Sequence, residues 1–257
     1  YDYNGKQHVC NERAKARKLS SVRAMFKYFF NRGMISVDNS AKVATPKLHE
    51  KPIIRLEGDE IYNIIDVAQS GNGLSPHQRA FHERDKVRDS AIIMLFLGTG
   101  IRISELVGLN NEDLNFKDNS FIVTRKGGNK SILYFDNDVA DALTRYLDYK
   151  DECGLPADAK DALFLSSHKK RITVRAVENL VQKYAKIISP LKKISPHKLR
   201  STYGTALYRA TGDIYVVADV LGHKDVNTTR KHYAAVSEDI RKSVVGKVKL
   251  HPDEEES

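Results

Sequence analysis

The chain is poor in cysteine and has no long apolar run, and both features narrow the class of protein. Its 257 residues include only two cysteines, Cys10 and Cys153, which lie far apart in the sequence. Two cysteines are too few for a disulfide framework or a cysteine-rich zinc site, which favours a reducing cytosol. The longest apolar run, Ala91 to Leu97, is far short of the ~20 residues that cross a bilayer, and no signal-peptide pattern opens the chain. We therefore expect a soluble cytoplasmic protein.

Acidic residues are outnumbered by basic ones. Lys and Arg total 42 against 33 Asp and Glu, so the formal charge is +9 and the isoelectric point is about 9.3. This balance favours a polyanionic partner, with nucleic acid first, although many basic proteins never bind it. At 29.0 kDa the chain can bury one sizeable core with a smaller unit beside it, so one or two domains are expected.

A polar segment that contains prolines predicts a domain boundary near residue 50. Residues 11–32 have apolar side chains at helical spacing and a basic outer face, which predicts an amphipathic helix. The following segment carries Pro46 and Pro52 among polar residues, as linkers do. We therefore divide the chain into 1–50 and 51–257. Because one helix cannot close a core, we expect the first part to be the end of a domain that begins before this chain.

The second part predicts several helices around a small sheet. Helices are expected at 59–68 and 85–97, and ISELVGL resumes a helix after the break Gly-Thr-Gly. Two runs rich in β-formers, 121–125 and 131–135, surround a glycine turn and predict a β-hairpin. Further helices are expected after the caps Asn137 and Thr173, from Pro196 with breaks at Gly212 and Gly222, and over 238–248. The predicted fold class is mainly α with a small antiparallel β-sheet.

Cationic side chains follow two of these turns. Arg102 comes directly after the glycine break, where it can fork two hydrogen bonds to a phosphate, although a surface position or an ion pair to Glu105 would explain it equally well. Lys126 lies at the tip of the hairpin, where an ammonium group could give a proton to a leaving oxygen. Hairpin lysines are usually just solvated, so this residue alone is a weak indication.

Two segments near the end of the chain combine histidines with other reactive groups. In HKLR, His197 and Arg200 are three residues apart and share a helix face near a helix N-terminus, which suits an anion. In LGHKDVNTTRKHY, His223 follows a helix-ending glycine, and a Thr-Thr pair leads to Tyr233. A tyrosine with a pKa of ~10 is a poor nucleophile and needs such cationic neighbours to lose its proton. Together these groups indicate transesterification at a phosphate.

The four segments GTGIRISELVGL, the hairpin lysine, HKLRSTYGTALY and LGHKDVNTTRKHY resemble the successive motifs of the tyrosine recombinase family, which includes phage and transposon integrases. The resemblance covers about residues 54–245, with the motifs in the family's order. It implies the recombinase catalytic fold, preceded here by part of the helical core-binding domain that closes a clamp around DNA. It also implies site-specific cleavage and rejoining of DNA strands through a 3′-phosphotyrosine intermediate, with no cofactor and no metal.

The resemblance also implies a role for each residue. Arg102 and Arg200 would grip the scissile phosphate, Lys126 would be the general acid, and Tyr233 the nucleophile. The same comparison gives His197 a part in proton transfer and His223 a hydrogen bond to a phosphate oxygen, and makes Glu105 a positioning partner of His197 or Arg102. The C-terminal tail would dock onto a neighbouring subunit, so the expected assembly is a homotetramer on paired double-stranded DNA sites.

Several alternatives stay open. Tyr233 lies ten residues after His223, whereas many family members have the tyrosine at the ninth position, here His232. Tyr203, Tyr208 and Tyr215 are the other candidate nucleophiles, but core packing in their helices explains them better. Arg125 and Lys130 are alternative hairpin cations. The function could be that of a phage or transposon integrase or of a chromosome-dimer resolving enzyme, with a type IB topoisomerase or a catalytically silent DNA-binding protein as runners-up.

Overall fold

A computed structural model describes residues 2–3, 5–7, 9–48, 54–125, 127–154, 161–223, 226 and 229. The chain divides into two compact units, Tyr1–Pro52 and Ile53–Ser257. Within the described ranges no helix has an apolar stretch that could span a bilayer.

The first unit is built on one helix. Strands β1 (Asp2–Tyr3) and β2 (Lys6–Gln7) pair antiparallel ahead of α1 (Glu12–Asn31). Asn11 caps α1 by accepting a hydrogen bond from the amide of Ala14, and no residue of the helix is buried. The predicted helix is therefore present, and its apolar side chains remain accessible.

The second unit is organised around a long central helix. Its helices are α2 (Asp59–Ser70), α3 (Pro76–Thr99), α4 (Ile103–Gly108), α5 (Asn137–Glu152), α6 (Val174–Ile188), α7 (Pro196–Thr211) and α8 (Ile214–Leu221). The second half of α3 is buried around Ile92 and Phe96, and α3 packs against α2, α5 and α7. Burial of this apolar half contributes to the hydrophobic stabilisation of the unit.

The sheet of the second unit has three antiparallel strands. Strands β3 (Leu114–Asn115), β4 (Ser120–Thr124) and β5 (Lys130–Tyr134) lie side by side in that order. Phe121, Val123 and Leu133 point inward, which attaches the hairpin to the helical core. The predicted hairpin is confirmed with a one-residue shift, whereas the short strand β3 was not predicted. The fold class, mainly α with a small antiparallel sheet, is as predicted.

Two predicted boundaries are wrong. Helix α3 begins at Pro76 and not near residue 85, because Ser75 and Gln78 form a reciprocal capping box around a first-turn proline. The cap of α5 is Asp136, whose carboxylate accepts from the amide of Val139, so Asn137 is already helical. Thr173 caps α6 as expected. The helix predicted over 238–248 lies outside the described residues.

Candidate active site

The turn between α3 and α4 presents Arg102. Gly100 ends α3 in the left-handed conformation with φ +62°, and a Cβ on this residue would lie 2.4 Å from Cδ1 of Tyr203. Only glycine therefore allows α7 to pack so closely on the turn. Ile101 is fully buried next to it, and Arg102 follows as the N-cap of α4, with its side chain 33% exposed.

Glu105 fixes the position of Arg102. Its carboxylate accepts from the Arg102 amide at 3.0 Å and from Nη1 of the guanidinium at 2.9 Å. The Glu105 side chain is only 3% exposed, so this ion pair is largely shielded from water. The expected pairing with Arg102 is thus present, and Glu105 holds this residue at two points, its backbone amide and its guanidinium.

The last carbonyls of α8 bind three arginines from three different elements. Nη2 of Arg102 donates to the Gly222 carbonyl at 2.8 Å. Buried Arg200, on α7, donates to the carbonyls of Gly100 and Leu221. The carbonyls of Leu221 and Gly222 lie at the negative end of α8, which favours cations. The backbone therefore holds Arg102 and Arg200 beside one helix end, although they are far apart in the sequence.

Arg125 joins the same helix end from the hairpin. Its guanidinium donates to the carbonyls of Val220 at 3.2 Å and Leu221 at 3.3 Å, and it lies 3.4 Å from a carboxylate oxygen of Glu105. The sequence indicates Arg125 only as an alternative hairpin acid. Its contacts with α8 are to backbone oxygens, which leave no side-chain signal in the sequence.

His223 follows α8 directly. Gly222 is left-handed with φ +59°, and the His223 amide returns to the Ala218 carbonyl at 2.8 Å, which closes the helix. Nδ1 of His223 lies 2.7 Å from the hydroxyl oxygen of Thr229, a fully buried residue of the Thr-Thr pair. The ring is therefore held by a side chain whose role was not predicted.

His197 and Arg200 share α7 but differ in environment. Arg200 is 5% exposed, whereas His197, in the first turn, is exposed to solvent. Lys126 and Tyr233 lie outside the described residues, so their assignment remains a prediction.

The alternative tyrosines differ in burial. Tyr203 and Tyr208 pack against the small apolar cluster of α7 and α8, and burial raises the pKa of the Tyr203 phenol, which makes it a poorer nucleophile. The core explanation for Tyr215 is wrong, because this side chain is 69% exposed near the start of α8.

The charges of the site are strongly unequal. The guanidinium groups of Arg102, Arg125 and Arg200 surround one helix end, and Glu105 is the carboxylate that pairs with two of them. Two of the five N–H donors of Arg102 bind described residues, Glu105 and Gly222, and the side chain reaches solvent. The arrangement is an anion site with donors still available for a phosphate.

Comparisons with known proteins agree with this chemistry. The model of the phage integrase family matches residues 55–239. The tyrosine recombinase XerC of Thermodesulfovibrio yellowstonii is 33% identical over 218 residues, covering 84% of this chain and 69% of that protein.

Solved structures share the fold. The Tn1549 transposon integrase in complex with transposon right-end DNA has a TM-score of 0.69 at 22% identity, covering 93% of this chain and 80% of that one. The XerA recombinase has a TM-score of 0.63 at 23% identity, covering 92% and 78%. By its sequence match and its fold, the chain belongs to the phage integrase family and is a tyrosine recombinase.

Proposed function

We propose that this recombinase cleaves and rejoins double-stranded DNA at specific sites, with Tyr233 as the nucleophile. The observation that carries the proposal is the convergence of Arg102, Arg125 and Arg200 on the end of α8 beside the carboxylate of Glu105. Such an excess of fixed positive charge suits a phosphodiester, which gains negative charge in the transition state.

The reaction is a transesterification, in which one phosphate ester bond is exchanged for another. The phenol oxygen of Tyr233 attacks the phosphorus and forms a 3′-phosphotyrosine bond, while the bond to the 5′ oxygen breaks. Lys126 gives this leaving oxygen its proton, and His197 assists removal of the proton from the phenol. Arg102, Arg200 and His223 bind the phosphate oxygens. Attack by a 5′ hydroxyl of another strand then reverses the chemistry and releases the tyrosine. No metal or cofactor has a role in these steps.

The arginines act well because they are already in place. Arg200 is held by two backbone carbonyls, and Arg102 by Glu105 and the Gly222 carbonyl. Little reorganisation is then needed when charge develops on the phosphate, which is the condition for strong electrostatic catalysis.

The biological setting we propose is a mobile genetic element, because the fold is shared with a transposon integrase. Segment 1–50 would be part of the DNA clamp and 51–257 the catalytic domain. The enzyme would act in the cytoplasm as a homotetramer on paired sites, with the C-terminal tail shared between subunits. The apolar stripe of SEDIRKSVVGKVKL supports a docking role for that tail.

Covalent trapping tests the proposal. The full chain is incubated with a nicked half-site from the element's ends, and denaturing electrophoresis detects the protein joined to DNA. Tyr233→Phe should abolish this species without weakening DNA binding, since only the attacking oxygen is removed. Tyr215→Phe, a change at an exposed tyrosine, is the matched control and should leave the species intact. A covalent species that survives in Tyr233→Phe would assign the nucleophile to another residue.

A further inference from the structure

Arg125 directly follows strand β4 and leads into the hairpin loop. The Arg125 amide donates to the Asn129 carbonyl at 2.7 Å, and the Gly128 amide donates to the Arg125 carbonyl at 3.0 Å. These two bonds close the loop on the backbone of Arg125. Lys126 is the next residue in the chain, so whatever holds Arg125 also fixes the point from which Lys126 departs.

The side chain of Arg125 is committed to α8. It is 11% exposed, and its donors face the carbonyls of Val220 and Leu221 at 3.2 and 3.3 Å. The guanidinium also packs closely against the glycine that ends α8, since a Cβ on Gly222 would lie 2.7 Å from Arg125 Cζ. The chain therefore leaves room for the guanidinium at the position directly before His223.

This placement is not the simplest way to end a helix. The left-handed Gly222 already closes α8 through its own backbone bonds. Nε of Arg125 is buried without a hydrogen-bond partner among the described residues, and burial lowers the pKa of the guanidinium although Glu105 opposes that effect. A buried, incompletely paired cation costs stability, so its presence calls for a function beyond capping.

We propose that Arg125 is a positioning residue that ties the base of the β4–β5 hairpin to the end of α8 and thereby holds Lys126 beside the leaving oxygen. The proposal rests on the proposed function, in which Lys126 is the general acid. Arg125 itself does not touch DNA in this scheme. It links the element that supplies the acid to the element that supplies His223, and through Glu105 to Arg102. A lysine could not do this, because one ammonium group lacks the planar fork that meets two carbonyls and a carboxylate.

Leaving-group chemistry separates positioning of the acid from general support of the fold. We compare covalent-complex formation by the full chain on two nicked half-sites, one with the normal 5′ oxygen and one with sulfur at that atom. A thiolate leaves without a proton, so the sulfur substrate does not need Lys126. The ratio of the sulfur rate to the oxygen rate is measured for each variant, and it does not depend on how much of the protein is folded.

Arg125→Gln should slow cleavage of the oxygen substrate by about 10- to 100-fold and leave the sulfur substrate nearly unaffected, so the ratio rises by the same factor. The matched control is Arg171→Gln. Arg171 also donates to backbone carbonyls, those of Val107 and Leu109, but these lie at the C-terminal end of α4, whereas Arg102 lies at its N-terminal end. Its ratio should stay at the parent value.

Two results would overturn the proposal: an unchanged ratio in Arg125→Gln, which includes equal slowing on both substrates, or the same rise in Arg171→Gln. Lys126→Ala on the two substrates keeps this test apart from the proposed function. If sulfur does not rescue Lys126→Ala, the assignment of the acid has failed. If it rescues Lys126→Ala but not Arg125→Gln, only the role of Arg125 has failed.

Discussion

Glu105→Gln should lower the stability of the protein and slow DNA cleavage without weakening DNA binding. The parent carboxylate accepts hydrogen bonds from the Arg102 amide at 3.0 Å and the Arg102 guanidinium at 2.9 Å, with Arg125 at 3.4 Å. Glutamine has nearly the same shape but only one acceptor oxygen. It can keep the bond to the amide, while its NH₂ group then faces the guanidinium groups that the carboxylate had neutralised.

The size of the effect follows from burial and distance. Removing one partner from a buried ion pair typically costs ~3–5 kcal/mol. The value should be lower here, because the Arg102 side chain is 33% exposed and the contact with Arg125 is long. We expect a loss of about 2–3 kcal/mol in the free energy of unfolding, or a melting temperature lower by about 4–12 °C for a unit of this size.

The rate of cleavage should fall, whereas the affinity for DNA should not. With Arg102 less firmly held, covalent-complex formation should slow by about tenfold or more, since small misplacements of a catalytic group have effects of this order. Noncovalent DNA binding should stay equal or tighten, because a negative charge is removed beside the phosphate site.

Denaturant unfolding, the half-site trapping assay and a gel-shift titration measure the three quantities. Glu112→Gln, at an exposed position in the turn after α4, is the matched control and should change stability by less than about 0.5 kcal/mol. Parent stability and parent cleavage in Glu105→Gln would refute the view that this carboxylate holds Arg102. If stability falls but cleavage per folded molecule is unchanged, the role of Glu105 is purely structural.

Three further predictions concern packing, pH and assembly. Gly100→Ala should lower the free energy of unfolding by more than Gly212→Ala does. Both glycines are left-handed, so both substitutions have a backbone cost of ~1–2 kcal/mol, but only at Gly100, of these two, would the new Cβ clash with a neighbouring side chain. Equal losses in denaturant unfolding would contradict this clash. Burial lowers the pKa of His82 from its ordinary 6.5. The contribution of neutral His82 to stability is therefore full above about pH 6.5 and falls as the pH drops, by at most ~1.4 kcal/mol per pH unit. In melting curves from pH 7.5 to 5, the melting temperature of His82→Gln should depend less on pH than that of the parent. Deleting residues from Ser237 onward should leave half-site binding intact but weaken cooperative binding to full sites in gel-shift titrations. Unchanged cooperativity and unchanged strand exchange would refute the proposal that the tail is shared between subunits.

The elements that could be predicted are those whose signal is local. The cap at Thr173 and the hairpin around its glycine turn depend on residues within a few positions, and both are present. The ion pair of Arg102 with Glu105 is also local, because the two are three residues apart in one helical turn.

The misses have physical causes. The first turns of α3 are polar and exposed, so they carry no apolar periodicity, although Ser75-Pro76 with Gln78 was a readable start signal. Strand β3 is too short to show alternation. The contact of Arg125 with α8 joins residues 95 and 96 positions apart through backbone oxygens, which every residue type possesses. No pattern in a single sequence could indicate it.

The shared helix end has a consequence for the order in which this protein folds. Arg102 reaches Gly222 across 120 positions of sequence, and Arg125 reaches Val220 across 95. Contacts between such distant residues form late, after the loops between them have closed. A nascent or partly unfolded chain that lacks α8 has its arginines but no backbone oxygens to gather them. The ability to break and rejoin DNA would then arise only with the completed fold, and a partly folded chain would leave the chromosome intact.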